Sequence, residues 1–304
     1  MNGKVVATDC SDTAPALYYA DNIEIVPRID DPFYMNVLID ICKRHTINGI
    51  LSLIDPELSL LAANKERFEE IGVQIIMCDR EVVETCFDKY ATYDILSEKG
   101  VRVIPTYLTI EDVILALEKK EIAFPLHVKP RKGSASIGIK QIQHLEELQS
   151  FLANNQDYII QPYMSGSEYC VECYVDLHTG EIADLFSKRK INMRAGETDK
   201  SVVVKDKELH AIVAKISTEL ALKGPVDFDF FQTKEGYYLS EMNPRFGGGY
   251  PYAYEMGHNF IEKILLNLQG QANEPYEPYT GSYEEGDTMV RFDQFVVLKK
   301  EKVC

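Results

Sequence analysis

Asp227-Phe-Asp-Phe-Phe-Gln-Thr-Lys-Glu-Gly-Tyr-Tyr-Leu-Ser-Glu-Met-Asn-Pro-Arg-Phe-Gly-Gly-Gly249 reads as two strands joined near Gly236, followed by a Pro-Arg step and three glycines. Side chains alternate between the faces of a strand, so Glu241 and Asn243 point the same way, and pairing across the turn brings Asp229 within reach of the same point. A carboxylate flanked by aromatic residues and opposed by Glu and Asn makes an all-oxygen set suited to Mg²⁺ held against phosphates. Two buried carboxylates with no cation between them repel each other, so a metal is the economical reading. Asp227 is the obvious substitute should Asp229 not be the ligand.

Upstream, Phe124-Pro-Leu-His-Val-Lys-Pro-Arg-Lys-Gly-Ser-Ala-Ser-Ile-Gly-Ile139 reads as a strand that delivers Lys129, Arg131 and Lys132 into a loop of small residues between Gly133 and Gly138. Small side chains let backbone amides approach phosphate oxygens, and the cations neutralise them. This is not a Walker A loop, because Ile139 stands where Lys is needed and a strand follows where a helix must start. An ordinary hairpin turn with solvated cations is the plain alternative. Between these two stretches, Gln161-Pro-Tyr-Met-Ser-Gly-Ser-Glu-Tyr169 ends one strand and leads into another. Such a hinge can offer backbone amides to a purine edge and a carboxylate to ribose hydroxyls.

Around these stretches the chain divides. From Lys4 to about Val83, short apolar runs at Val5–Thr8, Ile23–Val26, Gly49–Ile54 and Val73–Met77 alternate with helical segments. Asp30-Asp31-Pro32 and Asp55-Pro56 look like helix starts, in which a carboxylate accepts free amide hydrogens and Pro gives up none that is needed. This alternation predicts parallel pairing and a doubly wound α/β layer. The layer lacks its first strand, since the chain begins almost inside what reads as the second. From that we expect the natural polypeptide to start upstream of Met1, unless a segment such as Met289–Leu298 fills the gap.

A helix from Asp88 to Lys99 is closed by Gly100, and beyond it short strands dominate. They are Leu126–Lys129, Ile137–Ile142, Tyr158–Gln161, Tyr169–Leu177, Ala183–Lys190, Pro225–Gln232 and Tyr237–Asn243, with helices at Leu145–Asn154 and Glu208–Leu222. We therefore expect residues 1–87 to form an α/β domain and 88–304 a two-lobed α+β domain, with lobes at 88–160 and 161–304. The charged run Lys188–Lys200 is expected to be a substrate lid, with a solvated loop as the alternative.

The 304 residues carry 32 Lys and Arg against 48 Asp and Glu, a net charge of −16. So acidic a surface disfavours nucleic acid and anionic lipid as partners, though a local basic pocket can still take a nucleotide. Seven scattered cysteines do not make a disulfide framework. Cys170 and Cys173 sit three apart in an apparent strand, facing opposite ways, which gives no support to a zinc or redox site. No apolar run reaches the ~18 residues of a membrane span, and the first residues have no leader character, so a cytoplasmic location is expected.

In combination these motifs resemble the ATP-grasp superfamily. The order carries the resemblance: Lys89 at a helix start, Lys129 before the glycine loop, the hinge, then Asp229 and Glu241-Met-Asn-Pro-Arg245. The last motif is most similar to the branch of the carbamoyl-phosphate synthase large chain and biotin carboxylase. The resemblance covers nearly the whole chain, including the α/β domain that precedes the ATP lobes. It implies that Lys89 and Lys129 contact ATP phosphates and that the loop with Gly133 and Ser134 closes over them. It further implies that Gln161, Tyr163 and Met164 line the adenine, Glu168 holds the ribose, and Asp229, Glu241 and Asn243 ligate Mg²⁺, with Mn²⁺ as an alternative. Arg245 would steady the transferred phosphoryl group or the substrate anion.

The chain departs from the carbamoyl-phosphate synthase large chains, which carry two such halves and further domains, in having one, and from biotin carboxylases in carrying Phe246-Gly-Gly-Gly-Tyr-Pro251 where they have a Gln-X-Glu-His-type run. What transfers is the reaction type, an ATP-dependent carboxylate–amine ligase in which a small carboxylate becomes an acyl phosphate and is captured by an amine or other nucleophile. Half of a carbamoyl-phosphate-forming complex and a non-catalytic ATP-binding subunit are the alternatives. The partners implied are small-molecule carboxylate and nucleophile substrates, with a homodimer left open.

Overall fold

In the computed structural model, residues 3–133, 138–194, 196–278, 283–295 and 297–298 are described. Ser134, and with it the middle of the glycine loop, lies outside the described residues.

The first 76 residues pair as the apolar spacing predicts. Strands β1 (Val6–Asp9) and β2 (Asn22–Ile25) run parallel, as do β3 (Gly49–Ile50) and β4 (Gln74–Ile75), with helices α1 (Tyr34–His45), α2 (Asp55–Ala63) and α3 (Lys65–Glu69) between them. The two pairs belong to separate two-stranded sheets. Asp31 behaves as expected before α1, accepting the Phe33 amide at 2.8 Å. Asp55 does not: it lies in the first turn of α2 and makes no capping bond. Its carboxylate instead takes the Arg245 guanidinium through two bonds of 3.0 and 3.1 Å. A bidentate charge-assisted pair outweighs a local cap.

Two helices, α4 (Arg80–Phe87) and α5 (Lys89–Glu98), lead into the smaller lobe. There α6 (Ile110–Glu118) and α7 (Leu145–Leu152) cover a three-stranded sheet ordered β6 (Lys140–Ile142), β5 (Leu126–Pro130), β7 (Tyr158–Pro162). Val113, Leu126, Val128, Ile142, Leu148 and Ile160 form its own core.

The larger lobe is a six-stranded sheet with β8 (Ser167–Val175), β9 (Ile182–Arg194), β10 (Glu197–Val203), β11 (Gly224–Thr233), β12 (Gly236–Asn243) and β13 (Thr288–Val290) in the order β12-β11-β8-β9-β10-β13. Helices α8 (Lys207–Leu220), α9 (Tyr250–Glu255) and α10 (Phe260–Leu268) complete it. One face carries Val171, Cys173, Phe228, Phe230, Leu239 and Met242 into a core shared with Leu38 of α1, Leu58 and Leu61 of α2 and Val213 of α8. The other face carries the charged residues.

The expected lid is not a loop. Lys188–Arg194 continue β9, and Glu197–Val203 form β10, which pairs with β9 in antiparallel register. The alternating lysines are not solvated, because Lys188 meets Glu172 of β8 and Lys190 meets Asp229 of β11, one strand further on. The last strand is also shorter than Met289–Leu298, and it pairs with β10 rather than filling a gap in the first 76 residues. Among the described residues no helix is long and apolar enough to cross a membrane.

Candidate active site

β11 and β12 are in the register the sequence implies: Asp229 opposes Glu241 and Asp227 opposes Asn243. A bulge makes this possible. The pairing passes from Asp229–Glu241 directly to Phe230–Leu239, leaving Ser240 extra on β12. In an unbroken strand Leu239 and Glu241, two apart, would share a face; the bulge sends one into the core and the other into the site. On the next strand, Cys170 lies beside Asp229 and Glu172 beside Asp227.

Two lysines of β9 answer this acidic face. Lys190 Nζ lies 2.6 Å from Asp229 and 3.8 Å from Glu168. Lys188 Nζ lies 2.6 Å from Glu172, with both side chains essentially inaccessible. Burial works to lower both ammonium pKa values, but Asp229 beside Lys190 and Glu172 beside Lys188 outweigh it and hold both above the usual lysine value. Asp227 is pushed up to about 7 by burial and by the neighbouring Glu172 and Asp229 carboxylates, against the pull of the two lysines. The Cys170 thiol donates to Asp227 Oδ1 at 3.1 Å, and burial first, then Asp227, raises its pKa well above the ordinary value, so it stays a thiol.

The triple glycine lies over this cluster. A Cβ on Gly247 would stand 2.7 Å from the Asp227 carboxylate, and one on Gly249 2.5 Å from Lys188 Nζ. Only hydrogen fits at either position, and the Gly247 amide donates to Glu172 at 3.3 Å. Arg245, just before, donates to the Phe246 carbonyl at 2.9 Å as well as to Asp55.

The smaller lobe supplies the facing wall. β5 presents His127 and Lys129 on one face, as period two requires. Lys129 is 9% exposed, and burial lowers its pKa; more distant Glu241 and Asp229 partly oppose this. Among the described residues its ammonium has no hydrogen bond and no ion pair within 4.0 Å. Lys89 starts α5 because Asp88 caps that helix, accepting the Tyr90 and Ala91 amides at 3.1 and 3.2 Å. Its ammonium reaches the Gly133 carbonyl at 2.5 Å and Glu241 at 3.6 Å. Arg131, expected to neutralise phosphate, is instead committed to Asp88 through bonds of 2.8 Å. The hinge between β7 and β8 presses on β11, where a side chain at Gly166 would overlap the Gln232 carbonyl. The Gln161 amide donates to Thr106 at 2.8 Å, and the Tyr163 ring packs edge-on to His127.

These walls enclose a cavity of about 950 Å³. Lys129, Gln161, Tyr163, Met164, Glu168, Asp229, Glu241, Asn243 and Arg245 all line it. Gly133 lines a smaller cleft with Glu241 and Asn243, and Lys89 reaches the group through Glu241. Sequence reasoning gave no site role to Asp55, His127 or Glu172, and placed Lys188 and Lys190 in a lid. The period-two spacing of Lys188 and Lys190, opposite strands rich in acids, was the available signal.

Residues 86–249 match the family model of the ATP-grasp domain, and residues 1–76 match that of the PylC-like N-terminal domain. A D-alanine–D-alanine ligase of Corynebacterium aurimucosum is 33% identical over 106 residues, 33% of this chain and 30% of that one. The vancomycin B-type resistance protein VanB of Enterococcus faecalis is 29% identical over 124 residues, 38% of this chain and 35% of that one. The chain thus spans about a third of the length of these curated relatives. In fold it is similar to N5-carboxyaminoimidazole synthetase of Staphylococcus aureus, with a TM-score of 0.70 at 20% identity, covering 89% of this chain and 72% of that one. The biotin carboxylase domain of Hydrogenobacter thermophilus 2-oxoglutarate carboxylase, solved with MgADP, gives a TM-score of 0.70 at 19% identity, covering 90% of this chain and 65% of that one. The model matched by residues 86–249 takes in more than half of the sequence, and by that match the chain belongs to the ATP-grasp family.

Proposed function

We propose that this protein is an ATP- and Mg²⁺-dependent ligase that activates a small carboxylate as an acyl phosphate for capture by an amine or another nucleophile. The observation that carries the reading is the meeting, in one cavity, of oxygen donors from β11 and β12 with a buried ammonium from β5 that has no ion-pair partner among the described residues. A buried cation is costly until an anion joins it, so Lys129 fits a phosphate. Asp229, Glu241 and Asn243 are hard oxygen donors of the kind Mg²⁺ takes, and in the free protein lysine ammonium groups stand beside both carboxylates.

Lys129 and Lys89 then hold the phosphates, with Gly133 beside Lys89. Gln161, Tyr163 and Met164 line the adenine end, and Glu168 faces the ribose. Arg245 neutralises charge on the transferred phosphoryl group or the substrate anion. Bound Mg²⁺ offsets phosphate charge; the protein's own part is positioning and preorganised charge.

The division into 1–87 and 88–304, with lobes at 88–160 and 161–304, remains our proposal, supported by the separate family matches to 1–76 and 86–249. So do a cytoplasmic location and a homodimer; the biotin carboxylase domain above was solved as a dimer, and sedimentation tests that assembly here. The function is tested by ADP release from MgATP across small carboxylates and amines. Release that requires a carboxylate supports the ligase. Nucleotide binding without any such release points to a binding subunit, and release with bicarbonate and ammonia alone to a carbamoyl-phosphate-forming half.

A further inference from the structure

The end of the cavity nearest α2 is built differently from the rest. After β3 the chain runs Leu51-Ser-Leu-Ile54, and all but Ser52 line the cavity. Ser52 is buried and fixes the turn, accepting the Ile54 amide at 3.1 Å and donating to Glu57 at 2.6 Å. Glu57 also accepts the hydroxyl of buried Tyr34. This network holds Leu53 and Ile54 outward, 63% and 46% exposed, where large apolar side chains gain nothing from water. Ile261 of α10, 43% exposed, lines the same cavity. The residue after Ile54 is Asp55, paired with Arg245, so the apolar wall abuts the cation proposed to face the substrate anion.

From this juxtaposition we propose that Leu53 and Ile54 are specificity-determining residues, and that the carboxylate activated here bears an apolar substituent the size of a branched or aromatic amino-acid side chain. The carboxylate end lies toward Arg245, and the hydrocarbon covers Leu53 and Ile54. A polar substituent would lose its water against this wall and find no hydrogen-bonding side chain among these three residues in return.

This rests on the ligase reading above, and one experiment separates the two. kcat/KM for ADP release is measured with acetate, propionate, butyrate, isovalerate and phenylacetate, with glycine, alanine, valine, leucine and phenylalanine, and with hydroxyl-bearing acids of matching length. The expected gradient is about tenfold per added methylene until the wall is covered, lost when a terminal hydroxyl is added. Leu53→Ser and Ile54→Ser bring it well below about tenfold per methylene, because that discrimination needs apolar surface for the methylene to meet, while MgATP affinity by calorimetry is retained. Leu53→Met keeps the gradient. Tyr19→Ser, exposed and not among the cavity-lining residues, leaves it unchanged. ADP release with acids but no gradient, or with a preference for polar acids, overturns this proposal and leaves the ligase standing. No acid-dependent release at all overturns the ligase reading. A gradient that survives both serine variants removes the role of this loop. A change in sedimentation in Leu53→Ser without a change in gradient assigns the patch to contact between copies, and also overturns the proposal.

Discussion

Lys129 and the two carboxylates opposite it decide what this cavity can hold. An ammonium that is 9% exposed and lacks an ion-pair partner among the described residues is destabilising until an anion arrives. Lys129→Ala should therefore leave the fold intact while weakening MgATP by about tenfold to a hundredfold, the loss of charge-assisted contacts of roughly 1.5–3 kcal/mol. Unchanged affinity by calorimetry would refute the phosphate assignment. The pH dependence follows from the lowered pKa. The folded state binds this proton less tightly than the unfolded chain does, so Lys129's contribution to free-protein stability rises as pH climbs through the folded value. Nucleotide affinity moves the other way, because the phosphates need the ammonium. It should fall below the pH at which an exposed lysine titrates, and Lys129→Arg should abolish that fall. On the opposite wall, Asp229→Asn and Glu241→Gln preserve size and should each abolish Mg²⁺-dependent ADP release without changing the circular dichroism spectrum. Near-normal release in either would move the metal site, with Asp227 as the next carboxylate. That Glu241 and Asn243 share a face was legible because strand period alone assigns it, whereas their meeting with Asp229 rests on the bulge at Ser240. Lys190 was not, since a charge-rich strand reads as solvent-exposed until its acidic neighbours are known.

At the scale of elements, the site depends on β9 lying against β8 and on residues 247–249 lying over both. Glu172 bonds Lys188 at 2.6 Å and receives the Gly247 amide. Removing one member of a buried ion pair leaves the other uncompensated, at a cost of about 3–5 kcal/mol. Glu172→Gln should lose that much in urea unfolding, and Glu172→Leu with Lys188→Met should recover most of it. Equal losses in the single and double variants would mean that packing of the glycine segment, rather than charge, dominates. Nearly every strand after residue 100 was legible from apolar runs bounded by Gly and Pro. The end of β9 beyond Lys190 and the whole of β10 were not, because the charges from Lys188 through Lys200 hide the alternation. Nor was the bulge at Ser240, which shows only in the pairing of β12 with β11.

Over the whole molecule the apolar cores divide the chain unequally. The helices of the first 76 residues share one core with the back of the six-stranded sheet, whereas the three-stranded sheet, with α6 and α7, has its own. The smaller lobe is attached through the Arg102 and Ile104 backbone, hydrogen-bonded to Leu239 of β12 at 2.8 and 3.0 Å, and through Arg131 on Asp88. Short strands over a small separate core should open locally at lower free energy than the shared core. Hydrogen exchange should therefore give two classes: slow amides in α1, α8 and β11, and faster ones in β5 and β7. The site draws Lys129 from β5 and its carboxylates from β11 and β12, so a bound nucleotide would join the two lobes. Ligand that binds only the closed arrangement stabilises it by about 2.7 kcal/mol at a hundred times Kd. That gain falls on whichever lobe opens alone. MgATP should therefore slow exchange in Leu126–Pro130 and Tyr158–Pro162 far more than in Tyr34–His45, and Lys129→Ala should remove the difference at the same nucleotide concentration. Uniform slowing across all three segments would mean that the molecule opens as one unit, and that the two cores do not mark independent parts.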